Sequence, residues 1–161
     1  MNSFECIYKE NYPKMYRLAK KMVYDQDVVA DIVQEIFLYY YEKMQNEILV
    51  LNLKNWLLRA VVNKCTDYLN RKKKHTELTA IQELATEDNS FEKQNSNLTL
   101  RQAIKKLKPL EMKLVILYSE DYSYKEIAQI ADIKFSSVGK TLSRALLKLK
   151  EILIKMKYEM Y

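Results

Sequence analysis

Few side chains in this sequence could make or break bonds, and none stands with the company that chemistry needs. Asp31 and Glu35 fall at i and i+4, so on a helix they share a face and could hold a metal ion for hydrolysis of a phosphodiester. No third ligand, glycine-rich loop or nucleophile–base pair accompanies them. His75 is the single histidine, which removes the commonest general base. Cys6 and Cys65 are the only cysteines; they lie far apart and form no Cys-x-x-Cys pair, so with one His they cannot build a zinc site. They read as idle thiols of a reducing compartment. No cofactor, no metal and no enzymatic activity is expected, and the chemistry left to the chain is recognition.

The charges suggest what is recognised. The sequence carries 27 basic and 21 acidic residues, a formal net charge of +6. The excess is not spread evenly. Arg71, Lys72, Lys73 and Lys74 form a dense positive block, whereas the stretch from His75 to Asn97 sets Glu77, Glu83, Glu87, Asp88 and Glu92 against Lys93 alone. Clustered cations of this kind suit a phosphate backbone.

A second cationic surface comes with a motif. Ser123 is a natural helix N-cap, and Glu126 three residues later completes a capping box over Ser123-Tyr124-Lys125-Glu126-Ile127-Ala128. Ile127, Ala128 and Ile130 turn inward, and Ala128 is small enough for a second helix to cross closely. Asp132-Ile133-Lys134-Phe135 forms the turn. Ser136 or Ser137 then caps a long last helix in which Val138, Leu142, Ala145, Leu149, Ile152 and Met156 make one continuous buried stripe. Ser136, Lys140, Ser143 and Arg144 take the opposite side, with Ser137, Thr141 and Lys148 flanking. These donors can reach base edges and phosphates from a helix in the major groove. Gly139, the only glycine, sits in the first turn of that helix, either for close approach to a phosphate or as a chance substitution where the helix frays. Leu147 falls on the polar side without a partner legible in the sequence.

These surfaces must be positioned by helices. One Gly and two Pro leave little turn chemistry for a sheet-rich fold, so the chain is expected to be all-α. Apolar spacing predicts helices over residues 4–25, 28–44, 53–74, 98–107 and 110–119, followed by the helix-turn-helix. In the second of these, Val29, Val33, Ile36, Phe37, Tyr40 and Met44 make the buried stripe, and Asp31, Gln34, Glu35, Leu38 and Glu42 form an acidic outer face with an apolar spot at Leu38. Gln45 to Lys54 is a loop with an apolar centre. Trp56 lies beside Leu57 and reads as core. The expected organisation is two small helical domains, 1–75 and 98–161, joined by a flexible polar linker at 76–97 that holds a short helix near Thr79 to Leu84. The first residues show no basic stretch followed by an apolar run, and no apolar segment is long enough to span a bilayer. Neither a signal peptide nor membrane insertion is expected, and the protein should be cytoplasmic.

Taken in order, these motifs resemble the sigma factors of bacterial RNA polymerase, specifically the small two-domain extracytoplasmic-function group. Asp31-Ile32-Val33-Gln34-Glu35-Ile36-Phe37 is similar to the polymerase-binding helix of the family's second conserved region. Trp56-Leu57, Asn63, Asp67-Tyr68 and Arg71 resemble the helices that open and read the minus-ten element. Leu107-Lys108-Pro109, Ser123 to Ile130 and Val138 to Leu149 resemble the fourth region, which reads the minus-thirty-five element. The resemblance implies that Asp31, Gln34, Glu35 and Leu38 dock on a coiled coil of the polymerase's largest subunit, that Asn63 and Arg71 to Lys74 lie along promoter DNA, and that the loop Gln45 to Lys54 captures a base. It implies core polymerase and promoter DNA as partners, with an anti-sigma protein as a further one. Where the family's turn usually carries Gly this chain has Asp132, a residue that enters the left-handed region more readily than most.

A self-sufficient helix-turn-helix repressor or activator is the rival reading. It would need a dimer interface or sensor domain from the first half, against which the acidic linker and the match at residues 31–37 both argue.

Overall fold

The computed structural model describes residues 3–78 and 92–159, and every regular element among them is an α-helix. In chain order these are α1 (Phe4–Met22), α2 (Gln26–Gln45), α3 (Leu53–Leu78), α4 (Glu92–Lys105), α5 (Pro109–Ser119), α6 (Tyr124–Ala131) and α7 (Phe135–Glu159). α1, α2 and α3 pack on one another as a first module, and α4 to α7 form a second. The modules meet where α3 lies against α6 and α1 against α5. The all-α expectation therefore holds.

Capping sets the first module's boundaries. The Ser3 hydroxyl accepts from the Cys6 amide at 3.3 Å and starts α1. α1 stops at Met22, short of the expected residue 25, because Val23 turns extended and the Asp25 carboxylate accepts from the Asp27 and Val28 amides to begin α2. Pro13 is accommodated inside α1 at the loss of one amide donor. Met15, Leu18, Ala19 and Met22 of α1 are buried, as are Val29, Ile32, Val33, Ile36, Phe37 and Tyr40 of α2 and Leu57, Leu58, Val61, Val62 and Cys65 of α3. Aromatic rings close one flank of this core, with Tyr8 and Phe37 centred 4.6 Å apart. α3 runs on to Leu78, past the expected residue 74.

In the second module α4 begins at Glu92, earlier than expected, since its first turns carry no apolar period to read. The expected linker 76–97 is thus helical at both described ends. Residues 79–91, including the short helix expected near Thr79 to Leu84, lie outside the described residues. Pro109 occupies the first helical position of α5, where its missing N–H is no loss. The Lys108 amide there donates to the Glu111 carboxylate at 3.0 Å. The expected capping box of α6 is present in both directions: the Glu126 amide donates to the Ser123 hydroxyl at 3.1 Å, and the Ser123 amide to the Glu126 carboxylate at 2.9 Å. Asp132 closes α6 at φ 56, ψ 52, so the left-handed position is filled by Asp without glycine.

α7 starts at Phe135, which places Ser136 and Ser137 inside its first turn; neither is its cap. The Ser137 amide bonds the Lys134 carbonyl at 2.9 Å. Val138, Leu142, Ala145 and Leu149 are buried as expected, but Ile152 and Met156 are only half-buried, because the helix outruns its neighbours. A methyl on Gly139 would meet only the edge of the Tyr124 ring at 3.6 Å, an ordinary contact.

Three outcomes follow from this packing. Burial pushes the Cys65 thiol up to about 12, while Cys6 is exposed, so a thiol reagent at neutral pH should modify Cys6 and leave Cys65 unreacted until the chain unfolds. Gly139→Ala should raise unfolding free energy by about 1 kcal/mol in a denaturant titration. The Ser123 amide, with Lys54 nearby, holds the Glu126 carboxyl below its ordinary 4.5, although partial desolvation opposes it. Burial alone would raise Glu111, but Lys148 and the Lys108 amide outweigh it and hold that carboxyl low too. Both folded values lie below the unfolded one, so this stabilisation is complete at neutral pH and disappears as pH falls through the depressed values. The thermal midpoint should therefore fall below pH 4.5 and fall less steeply in Glu126→Gln.

Candidate polymerase and nucleic-acid interfaces

The buried stripe of α2 fixes which side faces out. Asp31, Gln34, Glu35 and Leu38 are all exposed, Leu38 to 65%, and Tyr39 and Tyr41 extend the apolar part of that surface. Glu35 is paired with Lys64 of α3 at 3.1 Å, a solvent-facing pair that a stronger cationic partner could displace. The patch is an apolar spot in an acidic rim, suited to a basic helix.

The loop before α3 displays apolar side chains that the fold does not need. Leu49 and Leu51 are 82% and 79% exposed, and Ile48 is also exposed. Glu47 and Asn52 bracket the loop with positive φ of 54° and 49°. Left-handed backbone at two non-glycine positions persists only where surrounding contacts hold it. Trp56, expected as core, is half-buried and stacks on Tyr39 with centroids 6.0 Å apart and planes at 19°. Arg71, Lys72, Lys73 and Lys74 are exposed at the far end of α3. Asn63 is also exposed, and its side-chain oxygen accepts from Lys113 of α5 at 3.4 Å.

On α7, Ser136, Lys140, Ser143 and Arg144 share the solvent side, and Ser137 and Thr141 are half-buried beside them. Among the described residues neither Lys140 nor Arg144 is ion-paired, so their charges are available to an anion. Lys148 is engaged elsewhere: its ammonium donates to the Glu111 carboxylate at 3.0 Å and ties α7 to α5. Leu147 stands 58% exposed, in keeping with the absence of a partner in the sequence.

Residues that sequence reasoning missed lie between the modules. Asn52 donates to the Gln129 side-chain oxygen at 3.0 Å, and Asn55 donates to the same oxygen. Arg59 donates from Nε to the Gln129 carbonyl at 3.0 Å and pairs through Nη2 with Asp132 at 3.0 Å. Lys54 stands 3.6 Å from Glu126. Lys21 and Arg17 of α1 reach Glu120 at 2.5 and 3.8 Å. Partners this far apart in the chain leave no periodic trace, so no sequence signal could have paired them. Among the described residues no cluster of His, Cys, Asp and Glu could hold a metal, and no helix is long and apolar enough to cross a membrane.

Comparison with known proteins gives this geometry a context. Residues 7–75 match the family model described as Sigma-70 region 2, and residues 97–149 match Sigma-70, region 4. No curated protein matches the sequence. Among solved structures, the fold is similar to that of the sigma factor RpoE from Bartonella quintana, solved in complex with the anti-sigma factor NepR. That likeness has a TM-score of 0.67 at 20% identity and covers 95% of this chain and 98% of the other. The two regions lie in order on the two helical modules and together span well over half of the sequence. The chain belongs to the sigma-70 family, as a two-region sigma factor of the extracytoplasmic-function type that directs RNA polymerase to promoters for transcription initiation.

Proposed function

We propose that the work is divided between residues 1–75, which hold the polymerase and open the minus-ten element, and residues 98–161, which read the minus-thirty-five element. The observation that carries this reading is the polarity of α7: Lys140 and Arg144 are exposed on one side, without an ion pair among the described residues, while Val138, Leu142, Ala145 and Leu149 are buried on the other. A helix so oriented lays Ser136, Lys140, Ser143 and Arg144 into a major groove, with Ser137 and Thr141 toward phosphates. Lys148 serves the α5–α7 contact first, and its part in DNA binding is the weakest of the set.

In the first module Asp31, Gln34, Glu35 and Leu38 dock on a coiled coil of the largest polymerase subunit. Arg71 to Lys74 neutralise backbone phosphates, and Asn63 lies on the same helix. The displayed apolar loop around Leu49 and Leu51 receives a base drawn out of the stack. No step in this scheme makes or breaks a covalent bond, and the protein acts in the cytoplasm beside the polymerase, without a cofactor or membrane insertion. An anti-sigma protein is a further partner, an assignment supported by the complex in which the similar RpoE was solved.

Run-off transcription with core polymerase tests the division. Lys140→Ala and Arg144→Ala should each cost about 1–3 kcal/mol of upstream-element recognition. Asp31→Ala and Leu38→Ala should weaken association with core while circular dichroism stays unchanged. Tight, specific binding of the free protein to a promoter duplex in a gel shift would instead favour a self-sufficient repressor or activator.

A further inference from the structure

Two exposed aliphatic side chains of the second module line a common cleft. They are Leu100 of α4 and Leu146 of α7, 40% and 37% exposed, and Val115, Ile116 and Leu149 supply the buried part of the same lining. The last turns of α1 and Tyr24 beyond them form the facing wall. We propose that this cleft binds a single-chain fatty-acid anion. The site takes no part in the promoter reading above and stands or falls without it.

Size and polarity select an alkyl chain. The cleft has a volume of about 630 Å³, within the roughly 300–1,000 Å³ usual for small-molecule sites. Aliphatic carbon dominates its interior, and apolar surface facing water in a concave site is where an apolar ligand gains by displacing that water. One alkyl chain suits this room, whereas a two-chain lipid would leave its second chain in water.

Charge selects the head group. Arg17, Lys20 and Lys21 of α1 and Arg101 of α4 line the cleft, and among the described residues no carboxylate does. Arg17 and Lys21 are drawn to Glu120. Among the described residues neither Lys20 nor Arg101 has an ion pair. The Arg101 guanidinium stands 4.2 Å from the centre of the Tyr24 ring, with the Lys105 ammonium at 5.1 Å from it. This contact holds a long side chain in place before a ligand arrives, so less freedom is lost on binding. Burial raises the Tyr24 phenol, against the opposing pull of Arg101, and its hydroxyl stays a donor at neutral pH. A carboxylate at the rim therefore meets a planar guanidinium, an ammonium and a phenol while its chain lies against Leu100, Leu146 and Leu149. A cationic head would meet like charge there, and a duplex phosphate backbone would leave the apolar lining in water.

Isothermal titration calorimetry of the full chain with octanoate, decanoate and dodecanoate, each kept monomeric, tests this. One anion should bind per chain, with circular dichroism unchanged. Each added pair of methylenes should tighten binding roughly tenfold until the cleft is full. Dodecyltrimethylammonium, which joins the same chain to a cationic head, should not bind. Lys20→Gln with Arg101→Gln, both at exposed positions, should weaken decanoate about tenfold or more and leave neutral decanol unaffected. Leu100→Trp should fill the cleft and block the chain; where that variant loses helicity, the glutamine pair still decides. Uptake of several anions per chain, equal binding of the cationic amphiphile, indifference to chain length, or no effect of the glutamine pair would overturn the site. A concentration-dependent dimer in sedimentation velocity, with no anion uptake, would overturn it too and give the cleft to a second copy of this chain.

Discussion

The rotation of a helix about its own axis is set by the side that must leave water, and that constraint governs this molecule. On α7 the burial of Val138, Leu142, Ala145 and Leu149 leaves Lys140 and Arg144 only one direction to point. On α2 the burial of Val29, Val33, Ile36 and Phe37 does the same for Asp31, Glu35 and Leu38. Each full burial of a Val, Leu, Ile or Phe side chain is worth about 1.5–3 kcal/mol, far more than any surface charge contributes. The apolar stripes therefore dictate and the polar faces follow. The polar faces are by-products of core packing in their placement, though not in their chemistry.

Because burial writes a periodic pattern, most of the fold and both outward faces were legible in the sequence. So were the local devices that act over three or four residues: the Ser123–Glu126 capping box and the left-handed Asp132. Legibility failed where cause and effect are distant in the chain or carry no period. The polar start of α4 at Glu92 has no apolar rhythm to announce it. Lys148 reads as one more cation on a basic face until Glu111 is seen beside it. Gln129, Asn55 and Arg59 look like ordinary surface residues, and only the folded chain shows them sharing one contact. Trp56 was placed correctly against the first module but not as a ring stacked on Tyr39, because a neighbour's orientation is a tertiary fact.

The two modules differ in how they are held. Within each, aliphatic and aromatic side chains interlock in a dry interior that a small change of sequence would disturb at a cost of several kcal/mol. Between them the named contacts are amides, carboxylates and ammonium groups close to solvent. Under that contrast each module keeps its shape while the contact between the modules stays cheap to change.

Asp132 illustrates how closely such requirements can overlap. The same residue bends the backbone between α6 and α7 through a left-handed conformation and offers its carboxylate to Arg59. Glycine would suit the bend better, since it carries no Cβ penalty there, but it has no side chain to reach across. The position is thus a compromise between the easiest turn and a tie between the two modules: glycine there would relax the bend and leave the Arg59 guanidinium without its carboxylate.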